Sequence, residues 1–493
     1  MSKPFYITTT LPYVNAPLHL GHALEFVRAD AIARYKKLAG FDVYFNTGTD
    51  EHGLKIFNKA QAKSLTPQEF VDQGFATFQE QLKMFGVSED IHFTRTTGQV
   101  HQLAVQEFWR QVSDNGYIYK KNYQAKYCVG CESEKTDSEL NEQGECPLHP
   151  GQPLELIDEE NYFFKYSALG DRLLDFYAQN PNFVIPDLRF NEVKSFVKNG
   201  LQDFSISRLK SKMPWGIAVP DDPDQVIYVW FDALVNYLST LGWPCHAEAF
   251  GEGGTGNKCL YEKYWVGGTP TQYCGKDNNR FQSIMWQAML LAAGLPNSHQ
   301  VIVNGFITGE GGIRMSKTLG NVVDPRDLAQ EYGTDALRYF LLREVNSFED
   351  SPFTIERFKE AYNAGLANGL GNLTSRIMKM AEMNGINIKE LPDFLGLPEV
   401  KASVDDHLNN FELNKAMDEI WGLVSLADQK IQKEKPFSLI KTSPDLAKEI
   451  MRSLVYDLNI IAYLLKPFMP ETSFKIQEAI KSGKMPEPLF LRR

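Results

Sequence analysis

The sequence predicts an α/β domain built on a doubly wound parallel sheet, followed by an all-α bundle. Three observations predict this fold class. Strand, helix and strand patterns follow one another over residues 5–46, strand patterns resume at about residue 226, and the chain is almost entirely helical from about residue 360 onward. The first order predicts a right-handed parallel crossover. An all-α region after an α/β region marks a separate domain.

The first strand is predicted at residues 5–10, where aromatic and β-branched residues follow one another. Two prolines then mark a loop, and apolar positions at helical spacing between residues 24 and 38 predict a helix. The turn between them contains the sequence His19-Leu-Gly-His22. Because the unpaired N–H groups at a helix N-terminus favour phosphate, this turn is a candidate nucleotide site.

A second strand is predicted at residues 41–46, and a turn-rich segment with Asp50, Glu51 and His52 follows it. Ligands of doubly wound sheets bind beyond the carboxyl ends of the strands, so these side chains are candidate site residues. An exposed acidic loop is the alternative interpretation of the same segment. The helices predicted over residues 56–115 have apolar faces that are typical of core packing.

Two short motifs, Cys128-Val-Gly-Cys131 and Cys146-Pro-Leu-His149, predict a metal site. Their spacing suits one tetrahedral Zn²⁺ with three thiolates and one imidazole. Four protein ligands leave no open position, so the predicted site is structural rather than catalytic. The remaining cysteines, which show no ligand spacing and are expected to be ordinary small buried or half-buried residues, are Cys245, Cys259 and Cys274.

Strand patterns resume at residues 226–230, where we predict that the parallel sheet continues, and again at 300–304. A glycine-rich segment with Arg314 and Lys317 follows the later strand. A mobile cationic loop is suited to stabilising the charge that develops on a phosphate during transfer. A solvated hairpin tip is the usual explanation of such a segment on its own, so this interpretation depends on the histidine-containing turn.

The composition limits the class of protein. The chain has 493 residues, of which 43% are apolar, which is enough for about two to four domains with buried cores. It has no long apolar run and no basic segment followed by a hydrophobic one at its start, so we expect an unprocessed, cytoplasmic protein without a membrane segment. The net charge of −11 argues against bulk attraction to nucleic acid, although a local basic face can still bind it.

The histidine-containing turn and the segment Arg314-Met-Ser-Lys317-Thr resemble the two nucleotide-binding signatures of the class I aminoacyl-tRNA synthetases. Further segments narrow the resemblance to the methionyl-tRNA synthetase family. These segments are Leu11-Pro-Tyr-Val-Asn15, Gly48-Thr-Asp-Glu-His-Gly53, the cysteine motifs, Ile206-Ser-Arg208, Tyr228-Val-Trp-Phe-Asp-Ala, Gly275-Lys-Asp277 and Tyr332-Gly-Thr-Asp-Ala-Leu-Arg338. The resemblance covers essentially the whole chain.

The resemblance implies a Rossmann-like catalytic domain that is split by an insertion. Its first half is expected at residues 1–115 and its second half at residues 226–320. The connective insertion with the zinc knuckle is expected at 116–225, a stem-contact region at 321–360, and an α-helical anticodon-binding domain at 361–493.

The family resemblance also implies a reaction. In a methionine–tRNA ligase, the carboxylate of L-methionine attacks the α-phosphate of ATP, and the adenylate passes to the terminal ribose of tRNA(Met) in translation. Mg²⁺ accompanies the ATP. The implied catalytic residues are His19, His22, Arg314 and Lys317. The implied ATP-binding residues are Gly21, Glu25, Gly275, Lys276, Asp277 and Lys317.

The implied methionine-binding residues are Leu11, Tyr13, Asp50, Trp230, Tyr237 and Gln282, with Asp50 facing the α-ammonium group and Arg208 as its partner. The implied anticodon-binding residues are Asn372, Arg376 and Phe437. Three positions depart from the family pattern. Gln282 replaces a usual histidine, Arg314 a lysine and Phe437 a tryptophan.

Two other function classes stay open at this point. One is a nucleotidyltransferase of the same superfamily with a small-molecule acceptor, against which the helical C-terminal region counts, since such an enzyme needs no anticodon reader. The other is a catalytically inactive tRNA-binding paralogue, against which the intact histidines and Lys317 count. We expect a monomer, because the chain ends at Arg493 without an appended β-barrel tRNA-binding module.

Overall fold

The computed structural model describes residues 2–131, 133–245, 259–312, 323–386 and 398–493. Its strands are β1 Pro4–Thr9, β2 Asp42–Thr49, β3 His92–Arg95, β4 Ile118–Cys128, β5 Ser133–Lys135, β6 Glu155–Phe164, β7 Val184–Ile185, β8 Phe204–Ser205, β9 Ser207–Leu209, β10 Ala218–Val219, β11 Asp222–Ile227, β12 Pro270–Gly275, β13 Gln300–Asn304, β14 Ile307–Thr308 and β15 Ser351–Pro352. Its α-helices are α1 Leu20–Leu38, α2 Leu54–Ala62, α3 Pro67–Met84, α4 Gln99–Asp114, α5 Gly170–Gln179, α6 Asp187–Lys198, α7 Val229–Ala233, α8 Asn236–Ser239, α9 Trp286–Ala293, α10 Pro325–Tyr332, α11 Thr334–Tyr339, α12 Ile355–Ala361, α13 Asn372–Met383, α14 Pro398–Asn409, α15 Leu413–Glu434, α16 Pro436–Leu439, α17 Pro444–Leu465 and α18 Pro470–Ser482. Short 3-10 or π-helical segments lie at Asp137–Glu139, Tyr166–Leu169, Glu262–Val266, Phe281–Met285, Glu310–Gly312, Phe340–Glu344 and Tyr362–Gly371.

The first of two compact units comprises residues 1–18, 41–80 and 89–303. Its main sheet runs in the order β3-β2-β1-β12-β13-β7, and each neighbouring pair is parallel. The strand order reverses between β1 and β12, which is where doubly wound sheets bind ligands beyond the carboxyl ends of their strands. The predicted parallel sheet is therefore confirmed, and the buried positions of β1 account for its continuous aromatic and β-branched pattern.

One predicted strand is wrong. Residues 226–230 do not continue the parallel sheet, because β11 ends at Ile227 and pairs antiparallel with β9 and β10, while Trp230 lies in helix α7. The parallel sheet resumes only at β12. A short apolar run fits a buried strand and a buried helix equally well, so periodicity could not separate the two.

The predicted insertion, residues 116–225, has its own antiparallel sheet in the order β5-β4-β6-β8. Strand β4 pairs with β6 along its length, from Ile118 opposite Phe164 to Tyr127 opposite Glu155. Strand β7, which lies in the same segment of the sequence, instead joins the edge of the parallel sheet beside β13. The domain boundaries stay predictions.

The second compact unit comprises residues 19–40, 81–88 and 304–493. Helix α1 belongs to it, together with the helices that follow residue 323. The described residues after position 360 contain helices and no strand, as predicted. Long amphipathic helices such as α15 and α17 bury one apolar face each, which gives this unit a hydrophobic core of its own.

Hydrogen bonds of a buried arginine and a buried ion pair hold α1 within the second unit. Arg28 donates to the backbone oxygens of residues 345, 346 and 347 at 2.9, 2.8 and 2.9 Å. Asp30 lies 2.8 Å from a guanidinium nitrogen of Arg338, and neither side chain is exposed. Burial alone would raise the pKa of Asp30, but Arg338 and Arg34 together lower it below its ordinary value. The carboxylate therefore stays charged inside the core.

The cysteine predictions outside the metal motifs are only partly confirmed. Cys274 is buried in β12, as expected. Cys245 and Cys259 form a disulfide bond with Cα atoms 5.3 Å apart, and Cys245 is exposed, so the prediction that both are ordinary small buried or half-buried residues is wrong. Spacing along the chain carries no signal for such a pair. No helix among the described residues is long and apolar enough to cross a membrane.

Candidate active site

The start of α1 carries the first predicted site residues. His19 is the N-cap, and its Nδ1 accepts hydrogen bonds from the backbone N–H groups of Gly21 at 3.1 Å and His22 at 3.4 Å. In return, the Nδ1 of His22 accepts a bond of 3.3 Å from the backbone N–H of His19. This reciprocal cap orients both rings and uses only groups within the turn.

The cap also decides where the imidazole protons lie. A ring nitrogen that accepts a hydrogen bond carries no proton, so both neutral rings are protonated on Nε2. The rings of His19 and His22 stack with their centroids 3.7 Å apart. Burial of His22, and then the neighbouring His19, lower its pKa, which favours the neutral form. The helix start thus provides two Nε2–H donors that are suited to phosphate oxygens.

Two predicted ATP-binding residues lie close by in the same helix. A Cβ atom on Gly21 would lie 3.1 Å from a ring carbon of His19, so glycine leaves room for the capping ring. Glu25 is buried one turn further along. Arg314 and Lys317, the predicted cationic pair, lie outside the described residues, and their roles stay predictions.

The predicted ammonium-binding residue, Asp50, follows β2 and is buried. Its backbone N–H donates to the oxygen of Pro12 at 3.0 Å, and its own carbonyl accepts from the N–H of Val14 at 3.1 Å. Tyr13 and Asp50 are consequently paired across a parallel bridge. The structure brings these two predicted methionine-binding residues together, with Leu11 buried at the start of the same segment.

Glu51, the second acidic residue of this loop, has a structural role. Its Oε1 accepts from Thr49 at 2.6 Å and from Arg95 at 2.7 Å, and Thr97 donates to its other oxygen. Its carbonyl accepts from the indole N–H of Trp215 at 2.6 Å. The alternative of an exposed acidic loop is wrong, because Asp50, Glu51 and His52 are all buried.

Aromatic and amide side chains form the remaining predicted pocket residues. Trp230 stacks on Phe281 with ring centroids 3.7 Å apart and planes at 4°. The amide N–H of Gln282 donates to the hydroxyl of Tyr237 at 2.6 Å, and its Oε1 accepts from Gln272 at 2.7 Å. Gln282 is therefore held at both ends of its amide, and it fixes one hydrogen bond of the Tyr237 hydroxyl.

The predicted nucleotide loop lies at the end of β12. Gly275 is the last residue of that strand, and half-buried Lys276 and exposed Asp277 follow it directly. Because β12 is the parallel neighbour of β1, these residues and Leu11 and Tyr13 follow the carboxyl ends of adjacent strands. This is the place at which such a sheet binds its ligands.

The four predicted metal ligands, Cys128, Cys131, Cys146 and His149, are gathered in one cluster, with ligand atoms all within 4.8 Å of one another. The Cys131 sulfur lies 3.5 Å from that of Cys146 and 3.3 Å from Nδ1 of His149. Separations of about 3.5–4 Å between ligand atoms suit a tetrahedral ion with metal–sulfur bonds of about 2.3 Å. A Cβ atom on Gly130 would lie 2.5 Å from the His149 ring, so glycine is required at this position between the first two cysteines.

The three predicted anticodon-binding residues lie in the second unit. Asn372 and Arg376 are one turn apart on α13, which places them on one face of that helix. Arg376 forms an ion pair with Asp428 of α15. Phe437 lies in the short helix α16 with 51% of its surface exposed.

The structure contains a buried chain of side chains of which only His52 was a candidate from the sequence. Nδ1 of His52 lies 2.7 Å from one oxygen of Asp232, and Nε2 of His101 lies 2.8 Å from the other. Nδ1 of His101 lies 2.9 Å from the hydroxyl of Ser239. Three of these four residues are far apart in the sequence, so no local motif joins them. A histidine on the buried face of α4 is the only local sign.

Comparison with protein families gives two matches that together span most of the chain. A model described as "tRNA synthetases class I (M)" matches residues 5–153 and 150–378. A model described as "Anticodon binding domain of methionyl tRNA ligase" matches residues 396–488.

Individual proteins agree with these matches. The chain is 41% identical to the methionine–tRNA ligase of Caldanaerobacter subterraneus subsp. tengcongensis over 491 residues, which cover 97% of this chain and 74% of the relative. It is 38% identical to that of Rickettsia prowazekii, with 98% and 94% of the two chains covered. Its fold matches that of Mycobacterium tuberculosis methionyl-tRNA synthetase in complex with methionyl-adenylate, with a TM-score of 0.86, 36% identity and coverage of 97% and 93%.

Proposed function

The chain belongs to the methionyl-tRNA synthetase family of class I tRNA synthetases, and on this premise we propose that its site activates L-methionine with ATP and transfers it to tRNA(Met). It is an aminoacyl-tRNA synthetase, an ATP-dependent ligase of protein biosynthesis. One observation carries the assignment of the site. Tyr13 and Asp50 follow β1 and β2, and Gly275 ends the neighbouring strand β12, so all three lie at the ligand-binding end of three adjacent parallel strands.

The proposed methionine-binding residues lie in the first unit, outside the histidine-containing helix. We propose that the buried carboxylate of Asp50 binds the α-ammonium group of methionine, since a buried charge of one sign is stabilised by a ligand charge of the other. Trp230 and Tyr237 then contact the thioether. A polarizable sulfur gains more from aromatic neighbours than its buried area alone would give. Gln282 holds the Tyr237 hydroxyl in place behind the sulfur.

The activation step transfers an adenylyl group. A carboxylate oxygen of methionine attacks the α-phosphorus of ATP, the bond from that phosphorus to the bridging oxygen breaks, and pyrophosphate leaves with both electrons of that bond. The protein aligns the reactants and offsets the charge that moves onto phosphate oxygens. In the second step, a hydroxyl of the terminal tRNA ribose attacks the carbonyl carbon of the adenylate, and AMP leaves.

Several residues are proposed to act on ATP. The Nε2–H donors of His19 and His22 bind phosphate oxygens, and the lowered pKa of His22 favours the neutral ring that carries this donor. Glu25 is proposed to contact the ribose, and Gly21 belongs to the same ATP-binding turn. Further ATP contacts are proposed for Gly275, Lys276 and Asp277, with Mg²⁺ bound to the phosphates and with Arg314 and Lys317 on the leaving pyrophosphate.

The cysteine–histidine cluster is proposed to hold Zn²⁺ as a structural ion. The donor set of three sulfurs and one nitrogen fits this ion and leaves no open position for substrate. When bound, the ion ties β4 and β5 to the loop with Cys146. We expect about one zinc ion per chain by elemental analysis of the purified protein. Substitution Cys131→Ser should lower that content, and an unchanged content would contradict the site.

The second unit is proposed to read the tRNA anticodon through Asn372, Arg376 and Phe437. An exposed phenylalanine offers a face on which an unpaired base stacks, worth about 1–3 kcal/mol. Phe437→Ala should therefore weaken charging of tRNA(Met) without altering methionine activation. The proposed location of the whole protein is the cytoplasm.

Charging of tRNA tests the complete reaction. The purified chain, incubated with ATP, Mg²⁺ and radiolabelled methionine, should attach the label to tRNA(Met) and not to a non-cognate tRNA. Asp50→Ala should abolish the attachment while leaving tRNA binding intact. Formation of the adenylate without any charging would instead favour a nucleotidyltransferase with another acceptor.

A further inference from the structure

A continuous buried chain of four side chains lies in the first unit, outside the residues assigned to methionine or ATP. It runs from His52 through Asp232 and His101 to Ser239, with successive separations of 2.7, 2.8 and 2.9 Å. All four side chains are at least 95% buried. We call these residues the histidine–aspartate chain. Such a chain is costly to bury unless each member is hydrogen-bonded, and here each one is.

The charge state of Asp232 determines the direction of these bonds. Burial alone would raise the pKa of Asp232, but His52 and His101 lower it below its ordinary value. The ionised carboxylate can only accept, so His52 donates from Nδ1 and His101 donates from Nε2. Nδ1 of His101 pairs with the hydroxyl of Ser239, which can donate or accept and also lies 3.4 Å from the carbonyl oxygen of Asn236. Each bond of the chain then has one donor and one acceptor.

Members of the chain lie close in sequence to three proposed methionine-binding residues. His52 is two residues after Asp50, in the loop that follows β2. Asp232 and Trp230 share the short helix α7. Ser239 and Tyr237 share the short helix α8. The chain therefore joins the loop that carries the proposed ammonium ligand to both helices that carry the aromatic residues.

The two short helices need support from outside. Helix α7 spans Val229–Ala233 and helix α8 spans Asn236–Ser239, and single helical turns of this size are not stable by themselves. His101 belongs to α4, a longer helix with a buried apolar face. It contacts Asp232 with one ring nitrogen and Ser239 with the other. The ring of His101 thus fixes the positions of α7 and α8 relative to the longer helix α4.

We propose that His101 and Asp232 are positioning residues that set the distance between Asp50 and the aromatic side chains Trp230 and Tyr237. In the proposed site, the bound amino acid spans this distance with the part of its length between the ammonium group and the sulfur. The inference rests on the proposed methionine site. It explains physically why that site would prefer an amino acid with a side chain of one length. Loss of the chain should weaken methionine binding and reduce discrimination against shorter and longer thioethers.

The test compares His101→Leu and His101→Gln in the full-length protein. Leucine removes both hydrogen bonds, whereas glutamine keeps an amide N–H for Asp232. Methionine-dependent exchange of pyrophosphate into ATP gives the KM for methionine and the KM for ATP separately. For His101→Leu we expect the methionine KM to rise about tenfold or more, because buried partners lose their hydrogen bonds, while the ATP KM stays unchanged. His101→Gln should recover most of the loss.

Two readouts separate positioning from general destabilisation. The control is Gln225→Leu, which removes two bonds of a buried side chain in the same unit, to Ser207 and to the Glu160 carbonyl, each 2.7 Å. Gln225→Leu should leave the methionine KM unchanged, although its midpoint of thermal unfolding falls about as much as that of His101→Leu. His101→Leu should also lower the preference for methionine over S-methylcysteine, which has one methylene fewer between Cα and sulfur, and over homomethionine, which has one methylene more there.

Three results would overturn the inference. One is an unchanged methionine KM in an active His101→Leu protein, and another is an equal rise in the Gln225→Leu control. The third is an absence of methionine-dependent exchange in the unsubstituted protein, which would overturn the proposed function and this inference with it. The first two results leave the proposed function standing.

Discussion

The start of α1 and the proposed methionine pocket are held by contacts of different range. His19 and His22 orient each other through three hydrogen bonds within a single turn. The pocket is supported by bonds between residues that are more than a hundred positions apart, such as His101 with Asp232 and His52 with Asp232. A local cap forms wherever its turn forms, whereas the pocket exists only in the complete fold. Substitutions remote from the pocket should therefore change methionine binding more readily than they change the histidine cap.

Long-range contacts matter for α1 in one respect, which is its placement within the second unit. Arg338 binds Asp30 of α1 and also donates to the carbonyls of Phe468 and Pro467 at 2.7 and 3.0 Å. The orientation of the two imidazoles thus depends on local contacts, whereas the placement of helix α1 depends on tertiary contacts. These two properties can be broken separately.

The largest expected effect comes from breaking the buried ion pair that places helix α1. Arg338→Met leaves the buried Asp30 carboxylate without its fully buried cationic partner, and breaking such a pair costs about 3–5 kcal/mol in the free energy of unfolding. Denaturant unfolding of the full-length protein measures this loss in the free energy of unfolding. The matched control is Lys415→Met, which breaks the exposed pair with Glu412 and should cost less than about 1 kcal/mol. Equal losses in the two variants would contradict the role of Arg338.

The next effect isolates the chemistry of the histidine cap. His19→Asn keeps a side-chain oxygen that caps the helix well, but it lacks the Nε2–H donor. Thermal stability should stay unchanged, while the turnover number for methionine activation falls about a hundred- to a thousandfold, as on loss of one donor to a developing oxyanion. Pyrophosphate exchange and a thermal melt measure the two quantities. Full activity in this variant would show that His19 serves only as a cap.

A smaller effect is expected in the pocket. Gln282→Leu removes one hydrogen bond of the Tyr237 hydroxyl and one of the Gln272 amide, and the loss of a bond by a buried polar group costs about 1–3 kcal/mol. The KM for methionine should rise, with the KM for ATP unchanged. Gln282→His restores a donor for Tyr237 and should recover part of the affinity. If leucine is tolerated without a change in methionine KM, the amide does not support the pocket.

The smallest effect concerns pH. The pKa of His22 is lower in the folded state than its ordinary value of about 6.5. The unfolded chain therefore binds a proton first as the pH falls, so the stability that the neutral ring contributes is complete above about pH 6.5 and is lost below it. The difference in stability between the unsubstituted protein and His22→Asn should shrink as the pH is lowered from 7 to 5. A difference that grows on acidification would show that the folded pKa is raised instead. Gln282 stands where the family usually has a histidine. Because an amide does not titrate, this position adds no pH-dependent change in stability of the same kind.

The same contrast in range explains what the sequence could predict. The strand β1, the helix α1 and its two histidines lie in one short segment, and so do the two cysteine motifs, so their geometry follows from local spacing. The strand predicted at residues 226–230 failed because an apolar run has no fixed period. The disulfide between Cys245 and Cys259 gave no signal of its own.

The candidate site shows the same division. Asp50 was predicted from a motif, but its pairing with Tyr13 depends on how two loops meet after β1 and β2. The bonds among His52, Asp232 and His101 arise only when β2, α4 and α7 pack together. Tertiary contacts of this kind leave no periodic or spacing pattern in a single sequence, which is why the support of the pocket emerged only from the structure.

Exchange of radiolabelled pyrophosphate into ATP, measured with methionine and with leucine, isoleucine and valine as separate substrates, tests the central claim most directly. We expect exchange that depends on methionine, with little exchange from the three branched amino acids, and loss of exchange in Asp50→Ala. Exchange supported by another amino acid but not by methionine would contradict the assignment of the pocket.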